Sequence, residues 1–219
     1  MTPRVRGSAC CLAALLLVLP CVAAAGVVRG TLDVSRARAR FAETQAALPD
    51  SIAALAEPLP AAVVCVEAIP PKLEKKLARK AAPASILQEG GAFHPRTMCV
   101  PVATAVTFLN QDRVYHNIFS VSPARRFDVG PYGPRETRRV TFDATGAVQL
   151  FCELHPAELG FIYVTPNHAY ARPNSDGGFR LPKLPPGKYT LRVWHPTFGT
   201  TTKDIEMPAR GDLMVNVRL

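Results

Sequence analysis

One segment limits the possible folds of this chain more than any other: Val148-Gln149-Leu150-Phe151-Cys152, followed by Glu153-Leu154-His155-Pro156. A strand turns alternate residues to one face, so Val148, Leu150 and Cys152 share the inward side and the thiol emerges inside the fold at the strand's end. His155 follows within the same loop, close enough to reach the same point as the thiol, and Pro156 narrows the loop's freedom. A second imidazole stands well upstream in Val114-Tyr115-His116-Asn117. Any fold for this chain has to present a Cys and a His from one strand-end turn.

The surrounding sequence supplies β-structure for that turn. From Ser85 onward, short apolar runs (Val106-Thr107-Phe108-Leu109, Val121, Val140-Thr141-Phe142) alternate with turn sequences such as Asn110-Gln111-Asp112, Pro131-Tyr132-Gly133-Pro134 and Asp143-Ala144-Thr145-Gly146. That spacing predicts an all-β sandwich or barrel. Upstream, Val27 to Val34 and Ala61 to Val66 read as strands, Arg36 to Ala56 as helix, and Pro70 to Pro83 as a Pro- and Lys-rich connector. From Pro166 the character changes. Ser175 to Leu181 and Leu184 to Trp194 read as the two arms of a hairpin, with further strands at Ile205-Glu206-Met207 and Leu213 to Val217.

Residues 1–25 read as a secretory signal peptide: Arg4 and Arg6, an apolar run from Cys11 to Leu19 too short to span a bilayer, then Ala23-Ala24-Ala25. Pro20 before Cys21 fits a lipid-attachment site poorly. The mature chain is therefore expected in the periplasm, with no transmembrane segment. Removing the signal takes two Arg and no acidic residue, which lowers the formal charge from +9 to +7. A basic surface favours acidic partners. Nucleic acid is not expected, because the charges are scattered; the dense cluster Arg36, Arg38, Arg40 reads as a solvated helix face. Of six cysteines, Cys65, Cys99 and Cys152 remain after cleavage. If Cys152 binds metal, Cys65 and Cys99 either pair as a disulfide or stay as two buried thiols.

One thiolate and two imidazoles suit copper among the transition metals. Haem attachment requires Cys-x-x-Cys-His, which is absent. Zinc accepts one Cys and two His but needs no such strand-end framework. A Cys-His hydrolase lacks a local oxyanion-hole or orienting signature, so no enzymatic activity is expected. His94, His168 and His195 have no partner at ligand spacing and read as surface or structural residues.

Residues 92–165 resemble the cupredoxins, in particular plastocyanin, amicyanin and exported plastocyanin-like proteins of methylamine-utilisation type. Phe93-His94-Pro95, Val106 to Asn110, Tyr115 to Ser120, Phe127-Asp128-Val129-Gly130, Gly146-Ala147-Val148 and Cys152-x-x-His155-Pro156 carry the likeness. The resemblance implies an eight-stranded Greek-key sandwich holding one copper ion through His116, Cys152 and His155. It gives Asn117 a supporting role beside the thiolate, pinning two loops. It also makes the His155 edge the electron exit, with Pro156, Leu159 and Phe161 as an apolar rim. Where the family places an axial Met, this chain has Glu158 or, for a longer loop, Gly160. Glu158 is thus either an axial oxygen ligand, which would lower the reduction potential, or a solvated loop carboxylate.

The segment from Asp176 to Trp194 resembles the carboxypeptidase-regulatory, transthyretin-like sandwich. Residues 26–84 are set apart as an N-terminal segment, 85–165 as the copper domain and 166–219 as the regulatory-like region. The copper domain is alternatively an insertion, with Val28 to Leu32 and Ala62 to Val66 as the first strands of the transthyretin-like module. The function implied is one-electron transfer between redox partner proteins; the alternatives are copper handling without a relay, and a structural module that has lost copper.

Overall fold

The computed structural model describes residues 24–35, 39 and 61–219. The signal-peptide reading up to residue 23, the Arg36, Arg38 and Arg40 cluster and the helix predicted to Ala56 lie outside the described residues. In chain order the elements are β1 (Gly26–Asp33), β2 (Val63–Val66), α1 (Pro71–Ala78), β3 (Ala84–Glu89), β4 (Ala92–His94), β5 (Thr97–Pro101), β6 (Thr104–Asn110), β7 (Ile118–Ser122) and β8 (Arg125–Asp128). They continue as β9 (Thr137–Phe142), β10 (Gly146–Cys152), β11 (Leu159–Thr165), β12 (Tyr170–Ala171), β13 (Gly178–Leu184), β14 (Gly187–His195), β15 (Gly199–Met207) and β16 (Leu213–Arg218).

These strands form two β-sandwiches. In the first, a five-stranded sheet β5-β11-β10-β7-β8 faces a four-stranded sheet β4-β3-β6-β9. Their inward side chains, among them Ile86, Phe108, Phe142, Leu150 and Ile162, make one buried core. The parallel pairs β3–β6 and β5–β11 require the chain to cross between sheets rather than fold as successive hairpins. In the second sandwich, β13-β1-β16 faces β12-β2-β14-β15 around Val28, Val64, Leu181, Leu191 and Val215. The chain enters this sandwich through β1 and β2, leaves it for the whole of the first, and returns.

The two sandwiches share a seam. Val63 and Cys65 on β2, Trp194 on β14 and Tyr163 on β11 form a separate buried cluster. Trp194 stacks on Tyr163 at 4.7 Å between ring centroids and meets Phe161 edge-on at 6.0 Å. β2 is therefore buried on both faces: Val64 and Val66 enter the second core, Val63 and Cys65 the seam. An unbroken apolar run such as Val63-Val64-Cys65-Val66 is what a strand covered on both sides demands.

Two expectations need correction. Ser175 to Trp194 is not a hairpin: β13 pairs with β1 and β14 with β15 and β2, in opposite sheets. Leu181 and Leu184 on β13 and Leu191 and Val193 on β14 face one core from two sides, and the Pro185-Pro186 turn spans the gap. The connector contains helix α1, with Pro71 at its start, Glu74 in the first turn, and Leu73 and Leu77 four apart against the second core. Of the two states left open for Cys65 and Cys99, the structure has the free thiols. Burial pushes Cys65 up to about 12 and Cys99 up to about 11, so both remain neutral at ordinary pH.

Candidate metal centre

The strand ends of the first sandwich build a cluster of donors. Val148, Leu150 and Cys152 all face inward on β10, and Cys152 is 3% exposed. His116 comes from the loop after β6. There the backbones of His116 and Tyr132 exchange two hydrogen bonds, from His116 N to Tyr132 O at 3.1 Å and from Tyr132 N to His116 O at 2.8 Å. Asn110, buried at the end of β6, steadies this loop: its amide donates to Val114 O at 2.7 Å and to Tyr132 O at 3.3 Å, and its carbonyl accepts from Asp112 N at 2.9 Å. His155 and Glu158 lie on the turn after β10, closed by Glu158 N donating to His155 O at 2.9 Å.

The ligand atoms of His116, Cys152, His155 and Glu158 all lie within 4.8 Å of one another. Cys152 Sγ is 3.6 Å from His116 Nδ1 and 3.5 Å from His155 Nδ1, and the two Nδ1 atoms are 3.1 Å apart. Glu158 Oε2 stands 3.3 Å from His116 Nδ1, and Oε1 3.3 Å from His155 Nδ1. Only His155 reaches water: its side chain is 37% exposed, against 1% for His116 and for Glu158.

Glu158 is thus not a solvated loop carboxylate. Its Oε1 is buried and has no hydrogen-bond partner. An unpaired buried carboxylate oxygen is costly, and a cation held among the four donors would supply what it lacks. Burial also pushes the Cys152 thiol up; the backbone N–H of Asn117 opposes this, and the charge of Glu158 adds to it. A cation at the same point would favour the thiolate instead. The four side chains therefore fit a metal ion in both charge and donor type. Position 160 gives no room for a sulfur donor, since a Cβ on Gly160 would lie 2.9 Å from Phe93 Cδ2 and 3.1 Å from Arg96 O.

Support around the donors comes from residues that sequence reasoning saw and from others that it missed. Asn117 ties the two loops together: its side-chain amide donates to Glu153 Oε2 at 2.7 Å, and its backbone carbonyl accepts from Glu153 N at 2.9 Å. Asp112 was missed. Its Oδ2 is 3.2 Å from His116 Nε2, which leaves Nδ1 to face the cluster. Burial works against charge on Asp112, but the Gly90 and Gly91 N–H groups and His116 hold its carboxyl below the usual range. Gln88 and Tyr132, both fully buried, were missed as well. Gln88 Nε2 donates to Glu158 Oε2 at 2.6 Å, and the Tyr132 hydroxyl donates to Gln88 Oε1. The signal in the sequence was Gln88 two residues after Ile86, a polar side chain on the inward face of a strand.

The remaining histidines have other tasks. His168 pairs with Glu74 of α1 at 2.6 Å, His94 Nε2 lies 3.1 Å from Glu89 O, and buried His195 accepts the N–H groups of Thr197 and Phe198 at a strand end. Of the expected rim, Phe161 lies elsewhere, while Pro156 is exposed. Phe161 turns into the seam against Trp194, and the large apolar side chains left exposed beside the donors in sequence are Val114, Tyr115 and Leu154.

Residues 162–219 match the carboxypeptidase regulatory-like domain. Among solved structures, part of the chain is similar to cupredoxin-type proteins. A copper-containing nitrite reductase from Thermus scotoductus SA-01 is 28% identical over 38% of this chain and 22% of its own, with a TM-score of 0.36. A purple cupredoxin from Nitrosopumilus maritimus is 26% identical over 37% of this chain and 99% of its own, at 0.34. A reduced amicyanin variant is 20% identical over 40% of this chain and 88% of its own, at 0.35. This chain thus spans about a fifth of the length of the nitrite reductase. No curated protein matches the chain.

Proposed function

We propose that this protein is an exported copper protein that carries single electrons between redox partners, with one ion held by His116, Cys152, His155 and Glu158. One observation carries the reading: the loop after β6 and the end of β10 with its following turn bring a thiol sulfur, two imidazole nitrogens and a carboxylate oxygen of buried Glu158 within 4.8 Å of one another. Such a donor set suits copper, which supplies a one-electron couple when bound. The chain's own contribution is rigidity and access. Asn117, Asp112 and the paired His116 and Tyr132 backbones hold the donors at fixed positions, so that little rearrangement accompanies a change of charge. His155, the one donor that meets solvent, is the point of electron entry and exit, and a net positive charge favours acidic partners. Within this reading the sandwich of residues 84–165 is an insertion in a carboxypeptidase regulatory-like fold, a view supported by the pairing of β1 and β2 with strands after residue 170.

Voltammetry of the copper-loaded mature protein tests the relay. A reversible one-electron wave is expected, and replacing Glu158 with Met should raise the potential, since an anionic oxygen favours Cu(II) over Cu(I). Copper that binds but does not cycle would mean a handling protein, and no uptake would mean a structural module.

A further inference from the structure

Gln88 is fully buried at the end of β3, and both ends of its amide are committed. The Tyr132 hydroxyl donates to its Oε1, which fixes the orientation of the amide; Nε2 then points at Glu158 and donates to Oε2 at 2.6 Å. Glu158 therefore presents two unlike oxygens. Each oxygen stands 3.3 Å from one imidazole, Oε2 from His116 Nδ1 and Oε1 from His155 Nδ1, but Oε2 already accepts from Gln88 while Oε1 is buried without a hydrogen-bond partner. Left alone, a carboxylate can turn about its last torsion and offer either oxygen or both. The contact from Gln88 removes that freedom.

We propose that Gln88 is a positioning residue for the metal centre: through Glu158 it assigns Oε2 to the protein and Oε1 to the ion, with Tyr132 locking the amide that does so. This rests on Glu158 being a ligand, and it makes the buried pair Gln88 and Tyr132 part of what sets copper affinity. Residues that orient a ligand in this way are commonly worth about 10- to 100-fold in metal affinity.

The test is a cycle of variants: Gln88→Met, which keeps length but lacks the donor; Glu158→Met; and the two together. Cu(II) dissociation constants are measured by competition, alongside the sulfur-to-copper absorption band. Gln88→Met should weaken Cu(II) binding by roughly 10-fold or more and shift the band. In the Glu158→Met background the same change should do neither. Tyr132→Phe, which removes only the lock, should act in the same direction but less; it serves in place of Gln88→Met if that variant does not fold. An equal loss in both backgrounds would make Gln88 a packing residue and overturn the proposal, and so would no loss in either.

A metal-free measurement separates this proposal from the reading beneath it. The side-chain amide resonance of Gln88 should move in the apo-protein when Glu158 becomes Met; an unmoved resonance overturns the contact itself. If it moves but the native chain shows no copper band, the contact is real and the metal reading is what has failed, taking the positioning role with it.

Discussion

The two sandwiches treat buried polar groups in opposite ways. In the second, the polar residues that reach the interior are fully matched. Asn167 donates to Val66 O at 2.7 Å and accepts from Ala169 N at 2.9 Å, and His195 accepts two backbone N–H groups. In the first, one end of the core holds Gln88, Asn110, His116, Asn117 and Glu158, and the buried oxygens Glu158 Oε1, Asn117 Oδ1 and, on β5, Thr97 Oγ1 have no hydrogen-bond partner. A matched polar group stabilises the fold that encloses it; an unmatched one costs stability and is retained for another reason. The contrast separates a supporting module from a working one without reference to any relative.

Substitutions can break that contrast. The largest effect belongs to the seam that joins the two sandwiches: Trp194→Ala should cost about 3–5 kcal/mol in denaturant unfolding, typical of deleting a buried aromatic. It should also expose the Cys65 thiol, now fully buried, to alkylation. If stability is unchanged, the sandwiches do not support each other. Next come two changes of opposite sign. Asn167→Ala leaves buried backbone groups unmatched and should destabilise by about 1–3 kcal/mol. Glu158→Met in the metal-free chain removes a buried carboxylate with one unmatched oxygen, which outweighs its contact with Gln88, and should raise the melting temperature. Two losses of similar size would erase the distinction drawn above.

The smallest effect is that of pH on the edges of the second sandwich. Hydrogen bonds from Ser35 to Asp33, and from the Val27 N–H to Asp212, hold both carboxyls below their usual range. Their folded values lie below the unfolded ones, so their contribution is complete above about pH 4 and is lost as pH falls through the folded values. Asp212→Asn should flatten that acid limb of the thermal stability profile slightly; an unaltered limb would remove Asp212 from the account.

Much of this was legible in the sequence, because residue periodicity records which face is covered. The inward Cys152 followed from Val148 and Leu150, and the doubly buried β2 is written in its unbroken apolar run. Gln88 left a weaker trace, a polar residue on an inward face, whose meaning depends on Tyr132 and Glu158 arriving from distant strands. The false hairpin between β13 and β14 shows a further limit. Two alternating strands joined by a Pro-Pro-Gly turn carry no mark of whether they pair side by side or face each other across a core; the partners β1 and β2, far back in the chain, decide it. Glu158 illustrates the same point at the scale of one side chain. Its type admitted either solvent or ligand, and its burial appears only once Gln88 and His116 from distant elements are placed beside it.

The central claim is that His116, Cys152, His155 and Glu158 hold a single copper ion. Titration of the mature chain with Cu(II), followed by visible absorption, tests it most directly. An intense sulfur-to-copper band should grow to an end point at one equivalent and be absent in Cys152→Ser. A colourless titration, or a band that survives the loss of Cys152, would contradict it.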